Sequence, residues 1–141
     1  MSRVFWDTNL FIYLLEDYGP HSEGVAELLV KMETRGDELL TSAITLGEVL
    51  VQPCSLGQVS RCQEYEEAIK ATARILPFDA ATALNYARIR SQPRKISPPD
   101  AIQLACAATA GVDLFLTNDA RLHGVHVDGI HFITSVDRAP L

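Results

Sequence analysis

Short apolar runs with strand character recur along the chain, and a longer stretch with helical spacing follows almost every one of them. No other feature of the sequence constrains the fold as strongly. Strands separated by helices point to a parallel sheet in which each helix carries the chain back across one face. Strands are expected at residues 3–8, 38–41, 74–78 and 112–117, with an edge strand at 131–134. Helices are expected at 9–16, from Ser22 to Arg35, from Ser42 to Pro53, at 58–72, from Asp79 to the Pro93 region, and from Pro98 to Ala110 with Gly111 as its stop. The expectation is an α/β three-layer sandwich, with a mainly parallel central sheet of four or five strands and helices on both faces.

A chain of 141 residues with 48% hydrophobic and 21% charged side chains fits one well-cored domain, 1–141. No window approaches the ~20 apolar residues of a membrane span, and the N-terminal apolar stretch is broken by Asp7 and Asn9, so neither a span nor a signal peptide is expected. The expected location is the cytoplasm. Cys54, Cys62 and Cys106 lack zinc or C-x-x-C spacing and are expected as reduced thiols. A net charge of -6 argues against broad, sequence-blind wrapping of nucleic acid. It is compatible with a local basic patch and with a cluster of cation-binding carboxylates.

Four acids fall where such a sheet brings them together. In βαβ units, strand C-termini and helix N-termini share one edge of the sheet. Asp7 ends the first strand, Asp100 lies in the first turn of the helix at 98–110, and Asp119 follows the fourth strand. Glu48 lies about six residues past its N-cap, roughly 9 Å along the helix axis, within reach of the same rim. Each acid also has a structural explanation: Asp100 as the partner of Ser97 in a capping box, Asp119 as the cap of a turn, Asp7 as a loop brace and Glu48 as a solvated side chain. Together they form a repulsive cluster. Two carboxylates ~5 Å apart repel by about 3 kcal/mol at an effective dielectric near 20, and a divalent cation relieves that repulsion. Oxygen donors without His or Cys favour Mg²⁺ or Mn²⁺ over Zn²⁺. The pair His123 and His126 has no third ligand nearby and reads as a surface turn.

The blocks "FWDTNLFIYLLE", "TSAITLGEVL", "PPDAIQLACAATAG" and "LFLTNDARL" resemble, in order and spacing, the motifs of the PIN-domain family, especially the VapC-like toxin ribonucleases. The stretch 53–74 carries none of those blocks. The resemblance implies a PIN-like fold and a metal-dependent endoribonuclease using Mg²⁺ or Mn²⁺. It implies that Asp7, Glu48, Asp100 and Asp119 are the acidic residues, with Asp7, Asp100 and Asp119 as metal ligands and Asn9, Thr117 and Asn118 as polar neighbours. Glu48 is either a further ligand or the group that orients water.

RNA needs cationic contacts despite the acidic total. Arg88, Arg90, Arg94 and Lys95 precede Asp100 and Arg121 follows Asp119, forming a candidate phosphate-guiding strip; the same cations also suit a helix C-terminus. A toxin of this kind implies an antitoxin protein. The apolar helices at 11–15 and 25–32 offer either a groove for an amphipathic partner helix or a homodimer face. Two rival functions are a non-catalytic PIN-like binding module, which would tolerate loss of the acids, and a receiver-like phosphoacceptor, which would want adjacent acids after the first strand and a late Lys.

Overall fold

In the computed structural model, which describes residues 1–141, five strands form one sheet: β1 (Arg3–Trp6), β2 (Glu38–Ser42), β3 (Arg74–Leu76), β4 (Val112–Leu116) and β5 (Ile130–Thr134). Their order is β3-β2-β1-β4-β5, and every neighbouring pair is parallel. Six helices lie between them: α1 (Thr8–Leu15), α2 (Pro20–Arg35), α3 (Ala43–Ser55), α4 (Val59–Thr72), α5 (Ala80–Arg90) and α6 (Pro98–Ala110). The architecture is the expected α/β sandwich, with the sheet wholly parallel. No helix is long and apolar enough to cross a membrane.

Period-two alternation splits the core between the two faces of the sheet. Phe5, Leu40, Leu76 and Phe115 pack with Ile89 of α5 and Ala101, Leu104 and Ala105 of α6. Val4, Trp6, Leu39 and Leu116 face Leu10, Phe11, Val25, Met32, Val49 and Ile69 of α1 to α4. Phe5 and Phe115, register partners on β1 and β4, stack with centroids 5.0 Å apart. From β1 the chain builds outward through β2 to β3, then returns to place β4 on the other side of β1. The boundary between β1 and β4 is therefore the topological switch point, and the crevice beyond the strand C-termini at such a point is where open α/β sheets bind ligands.

Several boundaries differ from expectation for identifiable reasons. Thr8 begins α1, and Asp7 is its N-cap rather than the middle of a strand end. Gly19-Pro20, a pair that from sequence suits the end of α1, instead opens α2 with Pro at the first helical position, where its missing N–H costs nothing. Ser22 accepts a hydrogen bond from Tyr18 N and donates one to Glu16 O, so it organises the turn and does not cap the helix. Pro53 lies inside α3, close to its end. The capping box expected at Ser97 does not form: its hydroxyl donates to Asp100 Oδ2 at 2.8 Å, and no side chain caps the α6 N-terminus.

The β4–β5 connection depends on one glycine. Gly129 has φ +97°, and a Cβ there would stand 2.5 Å from the Ala108 carbonyl oxygen. Gly129→Ala is expected to cost about 1–2 kcal/mol in urea denaturation. A loss below ~0.5 kcal/mol would mean that the turn reshapes freely.

Candidate functional site

Asp7 stands at the switch point. Its backbone N–H donates to Leu116 O at 3.0 Å, which joins the ends of β1 and β4. Both oxygens of its carboxylate accept hydrogen bonds: Oδ1 from Thr8 N at 2.8 Å and Gln103 Nε2 at 3.3 Å, and Oδ2 from Thr117 Oγ1 at 2.8 Å. Burial pushes the Asp7 carboxyl above its ordinary range, and the charge of Asp100 adds to that, while the hydrogen bonds from Thr117, Thr8 and Gln103 oppose it. The two acids are thus electrostatic neighbours. Asp100 is half-buried, and its one side-chain hydrogen bond is the one from Ser97.

Asp119 follows β4 as expected, but its charge is already paired. Arg121 Nε and Nη2 reach its two carboxylate oxygens at 3.0 and 2.7 Å, and this hydrogen-bonded guanidinium holds the Asp119 carboxyl below its ordinary range. Its backbone N–H donates to Thr117 Oγ1 at 3.0 Å, so Thr117 links Asp119 to Asp7. Glu48 is solvent-exposed, yet its Oε1 accepts from Thr8 Oγ1 at 3.0 Å.

The connection between Glu48 and Asp7 is a buried polar network that the sequence reading missed. Gln103, 3% exposed, has its Nε2 within hydrogen-bond reach of Asp7 Oδ1, of Thr8 Oγ1 at 3.0 Å and of Thr45 Oγ1 at 2.7 Å. Its Oε1 accepts from Ser42 Oγ. A signal was present: an amide three residues after Asp100, on the same face of an Ala-rich helix, has no place in an apolar core without polar partners. Trp6 Nε1 is the only buried side-chain polar atom without a hydrogen-bond partner, and it belongs to the core on the α1–α4 face.

The structure separates other expected neighbours from this site. Asn9 is exposed with no side-chain hydrogen bond, and Thr8 takes the position expected of it. Asn118 turns away and donates to Tyr13 OH at 2.8 Å, on the wall of a cavity of about 400 Å³ between α1, α2 and the C-terminal segment. Phe11 and Met32 lie in the core, while Val25 and Leu28 form the apolar floor of that groove beside the more open Tyr13, His21 and Gly24. Arg94 Nη2 donates to Arg121 O at 2.6 Å, which places it beside Asp119. Arg90 folds onto Tyr86, with its guanidinium 5.9 Å from the ring centroid. Arg88 bonds Asn85 and lines a separate cavity with His126 and Asp128, while Lys95 is exposed with no ion pair. The two histidines diverge, His123 to Thr117 O at 3.1 Å and His126 to Asp128 at 3.3 Å.

In kind, the donor set fits a hard divalent cation: Asp7, Asp100 and Asp119 offer carboxylate oxygens on one rim. In arrangement, no three His, Cys, Asp or Glu side chains are grouped closely enough to share an ion. At Asp119 both carboxylate oxygens are engaged by Arg121. Arg121→Ala is expected to tighten Mn²⁺ binding several-fold by freeing Asp119 and removing a cation that also feels Asp100. Calorimetric titration checks it, and unchanged affinity would remove Asp119 from the ligand set.

A family model described as PIN domain matches residues 4–127 of this chain. The chain is 27% identical over 119 residues to Ribonuclease VapC23 of Mycobacterium tuberculosis (strain ATCC 25618 / H37Rv), covering 84% of this chain and 94% of that protein. It superposes on VapBC2 from Rickettsia felis, crystallised bound to a DNA fragment from its promoter, with TM-score 0.75, 14% identity and coverage of 94% and 98% of the two chains. It also superposes on a toxin-antitoxin complex from Klebsiella pneumoniae, with TM-score 0.64, 23% identity and coverage of 90% and 94%. At these identities the two structures speak to the fold.

Proposed function

Because this chain belongs to the PIN domain family, we propose that it is a metal-dependent endoribonuclease that hydrolyses RNA phosphodiester bonds as the cytoplasmic toxin of a toxin–antitoxin pair. The observation that carries the reading is the position of Asp7: a partly buried carboxylate at the β1–β4 switch point, beside Asp100, with a raised pKa. Carboxyls perturbed by burial and by a neighbouring acid concentrate in functional crevices. Kinship with a protein named a ribonuclease supports the substrate class.

Asp7 and Asp100 would hold Mg²⁺ or Mn²⁺, and Asp119 joins them by giving up Arg121. Such an ion, when bound, supplies charge neutralisation at phosphate and makes water more acidic. The chain's own contributions follow from the geometry. Gln103 and Thr117 fix both Asp7 oxygens, so the carboxylate meets its ligand already oriented. Glu48, held by Thr8, would serve as a further ligand or as the group that orients water. Arg121 released from Asp119 joins Arg94 in facing phosphate. On this view Arg94→Ala weakens RNA binding and lowers the slope of log K against log salt by about 1. Arg88→Ala, away from the site, is expected to leave both unchanged. Filter binding across a salt series checks this, and equal effects of the two variants would remove the strip.

The groove between α1, α2 and the C-terminal segment is the proposed seat of the antitoxin, by analogy with relatives crystallised as toxin–antitoxin assemblies; a homodimer face on the same helices is the other expectation. The second reading, a PIN-like module that binds without cutting, is favoured by one observation: Arg121 neutralises Asp119. Incubating the purified protein with RNA in Mn²⁺ and in chelator, then sequencing the new ends, decides between them. Defined ends that appear only with metal support the nuclease, and intact RNA in both supports the module.

A further inference from the structure

We propose that Cys54 and Cys62 form a redox-active dithiol, which a small-molecule disulfide such as oxidised glutathione closes into an intramolecular disulfide across the α3–α4 corner. The pair lies in the stretch that carries none of the family's motif blocks, and no part of the acidic site includes it. Cys54 sits in the last turn of α3 and Cys62 near the start of α4. The chain reverses between them through Gly57, at φ 68°. Their Sγ atoms lie 3.2 Å apart. Contraction to the S–S bond length of about 2.0 Å asks only a small side-chain movement. The eight-residue separation puts the two helices' ends in register, so no distant segment has to be brought in.

Access sets the order of events. Cys54 is exposed and Cys62 partly so, whereas Cys106 is buried. The greater exposure of Cys54 makes it the first nucleophile, and the hydrogen bond between the two thiols holds Cys62 above its ordinary range. Burial pushes the Cys106 thiol up to about 11 and leaves it inert. The Cys54 thiolate attacks one sulfur of the oxidant. A bond forms from Cys54 to that sulfur, the oxidant's S–S bond breaks, and its other half leaves as a thiolate that takes up the proton Cys54 lost. Cys62, deprotonated by solvent, then attacks the Cys54 sulfur and expels the second half. Two protein thiols are oxidised to one disulfide and the oxidant is reduced to two thiols.

The closed form ties the end of α3, the helix that bears Glu48, to α4, which Tyr65 OH fastens to Glu16 at 3.1 Å. The test uses the full chain, incubated folded with oxidised glutathione, then denatured, alkylated and mapped by peptide mass spectrometry. One alkylated cysteine is expected in place of three, with a cross-linked peptide joining Cys54 to Cys62 that dithiothreitol reverses. Amide exchange at residues 54–62 is expected to slow in the oxidised form. Cys62→Ser is expected to trap a glutathione adduct on Cys54. Three alkylatable cysteines, separate adducts on Cys54 and Cys62, or a Cys54-linked dimer would each overturn the proposal, and the wild-type peptide map alone decides it.

Discussion

Asp7→Asn is expected to melt above the wild-type protein when divalent ions are chelated and below it in saturating Mn²⁺. The first half follows from linkage. The folded Asp7 carboxyl has its pKa raised above the ordinary value, so in the interval between the two values the folded state binds more protons than the unfolded state. Stability then falls as pH rises through that interval and stays low above it. Asn removes the charge at nearly constant shape: its carbonyl oxygen can still accept from Thr8 N and Gln103, and its amide can donate to the Thr117 hydroxyl. Below the ordinary carboxylate range both proteins are neutral at position 7, and their melting temperatures should converge. The second half is mass action. A hundredfold excess of metal over its Kd stabilises the wild type by about 2.7 kcal/mol, and the variant by much less. If Asp7→Asn melts lower in chelator and both proteins respond equally to Mn²⁺, Asp7 is a structural brace.

The second large effect is expected at Gln103. Replacement by Leu keeps the volume close to the original but leaves the Ser42, Thr8 and Thr45 hydroxyls, all buried, short of a partner. A buried polar group left unpaired costs roughly 1–3 kcal/mol, so a total loss of about 2–4 kcal/mol is expected in chelator. The same variant frees Asp7 Oδ1 and loosens the link to Glu48. Urea denaturation measures the cost. A change below ~0.5 kcal/mol would show that the hydroxyls find other partners and that the network does not orient the site.

The rim was legible because it depends on topology. Strand and helix alternation alone places Asp7, Asp100 and Asp119 on one edge, and the β3-β2-β1-β4-β5 order puts Asp7 at its switch point. What stayed hidden depends on side-chain partnership. Asp119 and Arg121 are two residues apart, a spacing that on a helix would point them to different sides; the short 3₁₀ turn Ala120–Leu122 instead lets the guanidinium fold back. The family resemblance implied Asn9 as a polar neighbour of the site, but the helix begins at Thr8, so Thr8 turns inward and Asn9 outward. Gln103 belongs to none of the acidic or basic patterns, and only its polarity on an Ala-rich helix marks it as a residue that needs buried partners. Gly19-Pro20 shows the same limit in the backbone: such a pair suits the end of one helix or the start of the next, and in the structure α1 already stops at Leu15 while Pro20 opens α2.

The basic residues divide by the same physics. Arg90 lies against Tyr86 and Arg88 faces a separate cavity, so continuity in sequence did not become one strip in space. Arg94 and Arg121 did meet, because the segment before α6 and the turn after β4 reach the same rim.

The most direct measurement is the single-turnover rate of RNA cleavage at saturating Mn²⁺, wild type against Asp7→Asn, with the fold of both verified by their melts. A loss of at least ~100-fold in the variant, with both proteins inactive in chelator, is the expected result. Equal rates in the two proteins, or cleavage that persists in chelator, would contradict the account at its first residue.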